Sequence, residues 1–306
     1  MRGHYWTLAP FVRHTLSPTK PPPSRHWSTT LGDPLRGTIR LTGRFTPADS
    51  ERLFVLVHGL GGSYQSAYML DTARVVHARG HASLRINLRG ADRRGADWYH
   101  AGLVADLEAV LDDPLVRSFR WVHVMGFSMG GHVSLALAAR TDPSVDSVAT
   151  ICAPLDLEAG ANAIDEPRGA VYRRHVLKGL KDIYREAVRN VPGPLDVRDA
   201  MKITTLREWD DRVIAPRFGF ESCEHYWRTQ SAGPILDRIE VPTLAVVTKH
   251  DPVVFMHTLE RFLGTGRIRW SVIEGGHVGF PAQVDVGVGE RGSVLEQVVG
   301  WSCDPR

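Results

Sequence analysis

The 306-residue chain has only three cysteines, Cys152, Cys223 and Cys303, and they lie far apart. An odd, sparse set without paired spacing excludes a disulfide framework and a cysteine-based metal site. A reducing, cytoplasmic setting is the expectation. No apolar run approaches the roughly 20 residues that span a bilayer. The opening stretch MRGHYWTLAPFVRHTL has no apolar centre of the kind a signal peptide needs. Charge of one sign is also missing. Lys+Arg 37 against Asp+Glu 34 leaves +3, too small an excess for a dedicated nucleic-acid face. There is no H-E-x-x-H and no Cys/His cluster, and the glycine-rich turn after LFVLV has neither a P-loop lysine nor G-x-G-x-x-G, so neither a metal, a nucleotide nor any other cofactor is expected.

What is present is a large apolar fraction, 43%, enough to bury a sizeable core. Residues 1–35 read as an irregular arm, because SPTKPPPS (Ser17 to Ser24) cannot be helix and makes a poor strand. From Thr38 the pattern becomes regular. Strand TIRLTGRF (Thr38 to Phe45) alternates, and LFVLV (Leu53 to Val57) is the continuous apolar run of a strand covered on both faces. Helix SAYMLDTARVVHARG, strand ASLRI, helix GLVADLEAVLDD, strand WVHVMG, helix MGGHVSLALAAR and strand SVATIC follow in alternation. Such alternation implies βαβ units and a mostly parallel sheet flanked by helices. It stops between Pro154 and Glu240 and resumes with strand TLAVVT, helix FMHTLERFL, strand RIRWSVIE and a last helix near SVLEQVVGW. The expected organisation is therefore an α/β core over 36–153 and 241–306, interrupted by a helical cap over 154–240.

The strongest motif is Gly126-Phe127-Ser128-Met129-Gly130-Gly131, set between a strand and a helix. A nucleophile at that junction needs a strained backbone, so its neighbours two residues away must lack side chains. The helix that starts beneath Ser128 favours negative charge there. A serine hydroxyl needs a base, and the base an orienting acid, here in the chain order Ser, acid, His. Of 14 histidines, His277 in EGGHVGF follows the last strand, and Asp251 in TKHDPVV follows TLAVVT. Both fall on the sheet edge that carries Ser128. The turn His58-Gly59-Leu60-Gly61-Gly62-Ser63 exposes backbone amides, so the Leu60 and Met129 N–H groups are the expected oxyanion hole.

Blander roles compete for several of these residues. Asp251, before Pro252, can be a turn or cap residue, with Asp156 as the next acid candidate. His277 can be a loop histidine bonded to backbone. His58 reads as loop support, His132 as packing and His250 as surface. Arg85, Arg89, Arg93 and Arg94, beside Asp92 and Asp97, read as a solvated face or loop salt bridges. Asp210 and Asp211 read as hydrogen-bonding residues of the cap. The aromatics Trp209, Phe218, Phe220, Tyr226 and Trp227 read as hydrophobic contacts able to build an apolar acyl pocket.

Taken together, HGLGGS, GFSMGG, the late Asp and the late GGH resemble the α/β-hydrolase superfamily. INLRGA, TLREWDD, APRFGF, the Tyr226-Trp227 pair, ILDRIEVPTL, HDPVV and GGHVGF resemble its YheT-like branch, from about residue 50 onward. That branch includes bacterial hydrolases and eukaryotic membrane-associated lipases and acyltransferases. The resemblance implies an α/β-hydrolase fold with Ser128, Asp251 and His277 as triad. The expected activity is hydrolysis of small-molecule carboxylic esters through an acyl-enzyme. Transfer of the acyl group to an alcohol, or a non-catalytic binding module on the same fold, stand as alternatives. A dehalogenase is excluded because the elbow carries serine, not aspartate.

Overall fold

The computed structural model describes residues 2–95, 97–140 and 144–305. Its centre is an eight-stranded sheet in the order β1-β2-β4-β3-β5-β6-β7-β8. The strands are β1 (Arg25–Asp33), β2 (Gly37–Thr46), β3 (Arg52–Val57), β4 (Ala82–Asn87), β5 (Trp121–Phe127), β6 (Ser147–Ile151), β7 (Thr243–Thr248) and β8 (Ile268–Ile273). β1 and β2 are antiparallel additions; from β4 to β8 every pairing is parallel. Parallel strands need helical crossovers, which cover both faces and explain why β4 and β7 are buried at every position.

The pleat sorts β3 between two cores. Leu53, Val55 and Val57 face one cluster, while Phe54 and Leu56 face the other. The second cluster is closed by helix α2 (Ala67–Ala78) and the C-terminal helix α12 (Val294–Cys303), the latter started by a Ser293/Glu296 capping box. Helix α5 (Met129–Ala138) is buried at every position, as suits a helix whose only polar side chains are His132 and Ser134. Between β6 and β7 lie only helices and helical turns, including α6 (Leu157–Asp165), α7 (Ala170–Ala187), α10 (Ala215–Phe218) and α11 (Cys223–Gln230). The crossover from β4 to β5 includes helix α3 (Ala105–Leu111).

Three sequence expectations need correction. The N-terminal arm is not irregular throughout: Arg2–Leu16 form helix α1 and Arg25–Asp33 form the edge strand β1, and only the proline-rich link between them is without regular structure. Pro10 inside the helix hid α1, and β1 hid because Trp27 is its one deeply buried residue. The segment FMHTLERFL forms two short 3-10 turns, Met256–Thr258 and Glu260–Phe262, not one helix. The arginine run is a solvated face only in part: Arg93 and Arg94 are exposed, and the expected salt bridges form, but as a buried network. Arg85 and Arg89 are buried, and Arg89 lies in an ion network with Asp33, Asp97 and Asp106.

Candidate active site

Ser128 terminates β5 and caps α5 with φ 52° and ψ −122°. This backbone region is costly for any residue with a Cβ, and glycine spacing makes it possible. A Cβ on Gly126 would stand 2.4 Å from the Gly130 carbonyl oxygen, and one on Gly130 would stand 2.4 Å from that of Val57. The serine amide is tied to the next strand, donating to the Ile151 carbonyl at 2.8 Å. Two more non-glycine residues with positive φ, Cys152 and Val278, lie at the same edge. Strain is thus concentrated where β5, β6 and the loop after β8 end.

Asp251 follows β7 and His277 follows β8. Their side chains meet: His277 Nδ1–H donates to Asp251 Oδ2 at 2.8 Å. The other carboxylate oxygen, Oδ1, accepts the Val253 and Val254 amides at 2.8 Å each. Asp251 therefore serves both a turn and the histidine, one oxygen for each. With Nδ1 engaged, the ring nitrogen left to exchange a proton is Nε2. Asp156, the alternative acid, is instead the N-cap of α6, accepting from Ala159 and paired with Arg261.

The turn after β3 closes beside the serine. A Cβ added to Gly59 would lie 3.0 Å from Ser128 Cβ. Two tyrosine hydroxyls hold the turn: Tyr68 accepts from the Gly59 amide at 2.9 Å and Tyr99 from the Gly61 amide at 2.7 Å. Leu60 sits between these two tethered residues. His58 supports the same turn. Its Nε2 accepts from Leu88 N–H at 3.2 Å, so Nδ1 carries the proton and donates to the Gly59 carbonyl at 2.8 Å. Burial lowers its pKa to about 4, which keeps the ring neutral. His132 is held between the carbonyls of Pro154 and Gln230, both in the segment between β6 and β7, and His250 is half-exposed beside Glu274.

Two neighbours of the pair went unmarked in the sequence. The Cys152 thiol packs under it, 3.8 Å from the Gly276 carbonyl oxygen and 3.9 Å from Thr248 Oγ1. Burial, then the Asp251 charge, keeps this thiol protonated. The ligand atoms of Cys152, Asp251 and His277 lie within 4.8 Å of one another, the one such group among the described residues. Thr7, on α1, accepts the His277 backbone N–H at 2.8 Å. That contact explains the glycines of GGHVG. A Cβ on Gly276 would stand 2.2 Å from the Gly3 carbonyl oxygen, and one on Gly279 2.0 Å from that of Trp6. Trp6 lies four residues before Pro10, which cannot supply its helical donor.

Three of the five aromatics between β6 and β7 are packing residues, while Phe218 and Phe220 lie half-buried against His100. Trp209, Tyr226 and Trp227 are fully buried; the Trp227 indole donates to Asp210 at 2.7 Å and the Tyr226 hydroxyl accepts from the Ala101 amide at 2.9 Å. Burial of Asp210 raises its carboxyl to about 7 despite that bond. Asp211 accepts from the Cys223 amide at 3.4 Å.

A strained serine between strand and helix, with a His–Asp pair at the ends of later parallel strands, defines a class of fold and site. A model of the alpha/beta hydrolase fold family matches residues 52–281, and the chain belongs to that family. Its similarity to the YheT-like branch is also borne out. "Putative esterase YheT" of Escherichia coli (strain K12) is 29% identical over 244 residues, 74% of this chain and 69% of the relative. "Putative esterase slr0264" of Synechocystis sp. is 26% identical, covering 61% of each. "Monoacylglycerol lipase" of Saccharomyces cerevisiae is 24% identical, over 67% of this chain and 49% of the relative. Among solved structures, the Pyrococcus furiosus esterase Pf2001 superposes with a TM-score of 0.55 at 15% identity, covering 84% of this chain and 85% of that one, a likeness of fold. Among the described residues no helix is long and apolar enough to cross a membrane.

Proposed function

We propose that the protein is a serine hydrolase of carboxylic esters. The family and its esterase- and lipase-named members support ester hydrolysis at the level of class. The observation that carries the residue assignment is the 2.8 Å Asp251–His277 hydrogen bond, on the same sheet edge as the strained Ser128. In this reading Ser128 Oγ attacks the ester carbonyl carbon as His277 Nε2 takes the hydroxyl proton. Asp251 holds Nδ1–H and offsets the imidazolium charge. The Met129 and Leu60 amides receive the developing oxyanion, each such donor being worth about 3–4 kcal/mol in acyl transfer. The imidazolium then gives its proton to the leaving alkoxide. Water, deprotonated by the same nitrogen, releases the carboxylic acid and regenerates the serine.

The name of one relative, a monoacylglycerol lipase, suggests a lipid-like acyl group. The three thiols are unpaired, which suits a reducing, cytoplasmic location. The test is labelling with a serine-directed fluorophosphonate, followed by p-nitrophenyl esters of rising chain length. Wild type should label and turn over, and folded Ser128→Ala should do neither. Undiminished labelling of Ser128→Ala would refute the assignment.

A further inference from the structure

Seven large apolar side chains stand exposed among the described residues, and four belong to α1: Tyr5 (63%), Leu8 (43%), Val12 (51%) and Leu16 (81%). Single exposed apolar residues need no explanation, but a contiguous set does. At about 100° per residue, positions 5, 8, 12 and 16 fall within an arc of about 80°. They make one stripe along the outer side of the helix. The inner side is already committed, since Thr7 bonds the His277 amide, and Gly3 and Trp6 press on Gly276 and Gly279. Helix α7 lies beside the start of α1. His4 Nδ1 lies 2.7 Å from the Tyr172 hydroxyl, and the adjacent Val171 is 61% exposed.

Charge says what kind of surface fits the stripe. Residues 1–32 carry Arg2, Arg13, Lys20 and Arg25 and not one Asp or Glu. Arg13 and Lys20 are exposed in and just beyond the helix. A helical apolar stripe bordered by cations suits the plane of a membrane interface. The apolar side chains enter the acyl boundary, and the cations meet lipid phosphates. A second copy of the chain would cover the stripe equally well, but a symmetric contact would set these cations against one another.

We propose that α1 docks the protein on an anionic lipid surface through Tyr5, Leu8, Val12 and Leu16. The inference does not depend on the hydrolase reading, because it rests on a surface and not on the triad. If both hold, the loop carrying His277 sits directly behind the docking helix, at the lipid boundary.

The test uses the full chain with Ser128→Ala, so that no turnover alters the vesicles. Binding is measured by co-sedimentation with phosphatidylcholine vesicles, with and without phosphatidylglycerol. Binding to the anionic vesicles should be at least about ten-fold stronger than to neutral ones and should weaken as salt rises. The further substitutions Leu8→Ser, Val12→Ser and Leu16→Ser together should cut it by at least about ten-fold while circular dichroism stays unchanged. Arg13→Glu with Lys20→Glu should remove the preference for anionic lipid. Absence of vesicle binding, equal binding of the triple-serine variant, or a solution dimer abolished by those serines would overturn the proposal. Labelling of Ser128 is read separately, so failure of one reading leaves the other standing.

Discussion

Asp251 shows how one side chain can satisfy both a structural and a chemical reading. Its Oδ1 organises the turn after β7, and its Oδ2 receives the histidine. Asp251→Asn should therefore keep the turn, since an amide oxygen still accepts from Val253 and Val254. Its NH₂ would instead face Nδ1, forcing the proton onto Nε2, where a general base needs a lone pair. We expect kcat for a p-nitrophenyl ester to fall by about 10³- to 10⁴-fold with little change in thermal midpoint. Thr7 tests the support behind the histidine. Thr7→Val keeps the shape and removes the acceptor for the His277 amide, costing about 1 kcal/mol in urea unfolding and lowering kcat; Thr7→Ser should restore both. The places of Ser128, Asp251 and His277 in the fold were legible because each follows a recognisable strand. Thr7 and Cys152 were not, because their contacts join chain segments with no local pattern between them.

Among the elements, the arginine-rich turn after β4 is the clearest case of tertiary structure overriding a local reading. Arg89 makes three hydrogen bonds to Asp106 at 2.6 to 3.0 Å and reaches Asp33 at 2.7 Å and Asp97 at 3.2 Å. Arg217, from α10, joins the same carboxylates of Asp97 and Asp33. The network links the β1–β2 turn, the end of β4, α3 and α10. Taking Arg217 away leaves buried carboxylates short of a partner. Arg217→Ala should destabilise by about 3–5 kcal/mol in urea unfolding, whereas loss of an exposed pair such as Arg117–Asp112 should cost less than about 1 kcal/mol. A string of alternating charges looks alike whether solvated or buried, so the sequence alone could not separate the two. The same holds for α1, whose Pro10 argues locally against helix, while Gly276 and Gly279 let its first turns pack closely on the loop around His277.

For the molecule as a whole, buried histidines set the response to acid. Burial lowers His58 to about 4 and, with nearby arginines adding repulsion, His100 and His123 to about 3, against an ordinary value of 6.5. The unfolded chain takes up these protons as pH falls below 6.5, but the native protein does not until about 4 to 3. The stabilisation is therefore complete above 6.5 and is lost progressively across that window. Asp33 adds a second step at lower pH. Burial raises its pKa, but bonds from Arg89 and the neighbouring amides, with the Arg217 charge, bring it from 3.8 down to about 2. Its contribution is present above 3.8 and disappears as pH falls through about 2. The thermal midpoint should decline steadily from pH 6.5 to 4, with net proton uptake on unfolding. A midpoint independent of pH over that range would contradict the burial of these rings.

Sequence alone determined the alternating core, the strand–turn–helix serine and the late acid and histidine, because each depends on periodicity or spacing within a few dozen residues. Tertiary structure decided the rest. It chose which Asp251 oxygen meets the histidine, gave the proline-bearing helix its place behind the His277 loop, buried Arg85 and Arg89 and drew Trp209, Tyr226 and Trp227 into packing. Those outcomes depend on which distant surfaces meet, and a linear pattern does not record a burial or a partner that the fold has yet to create.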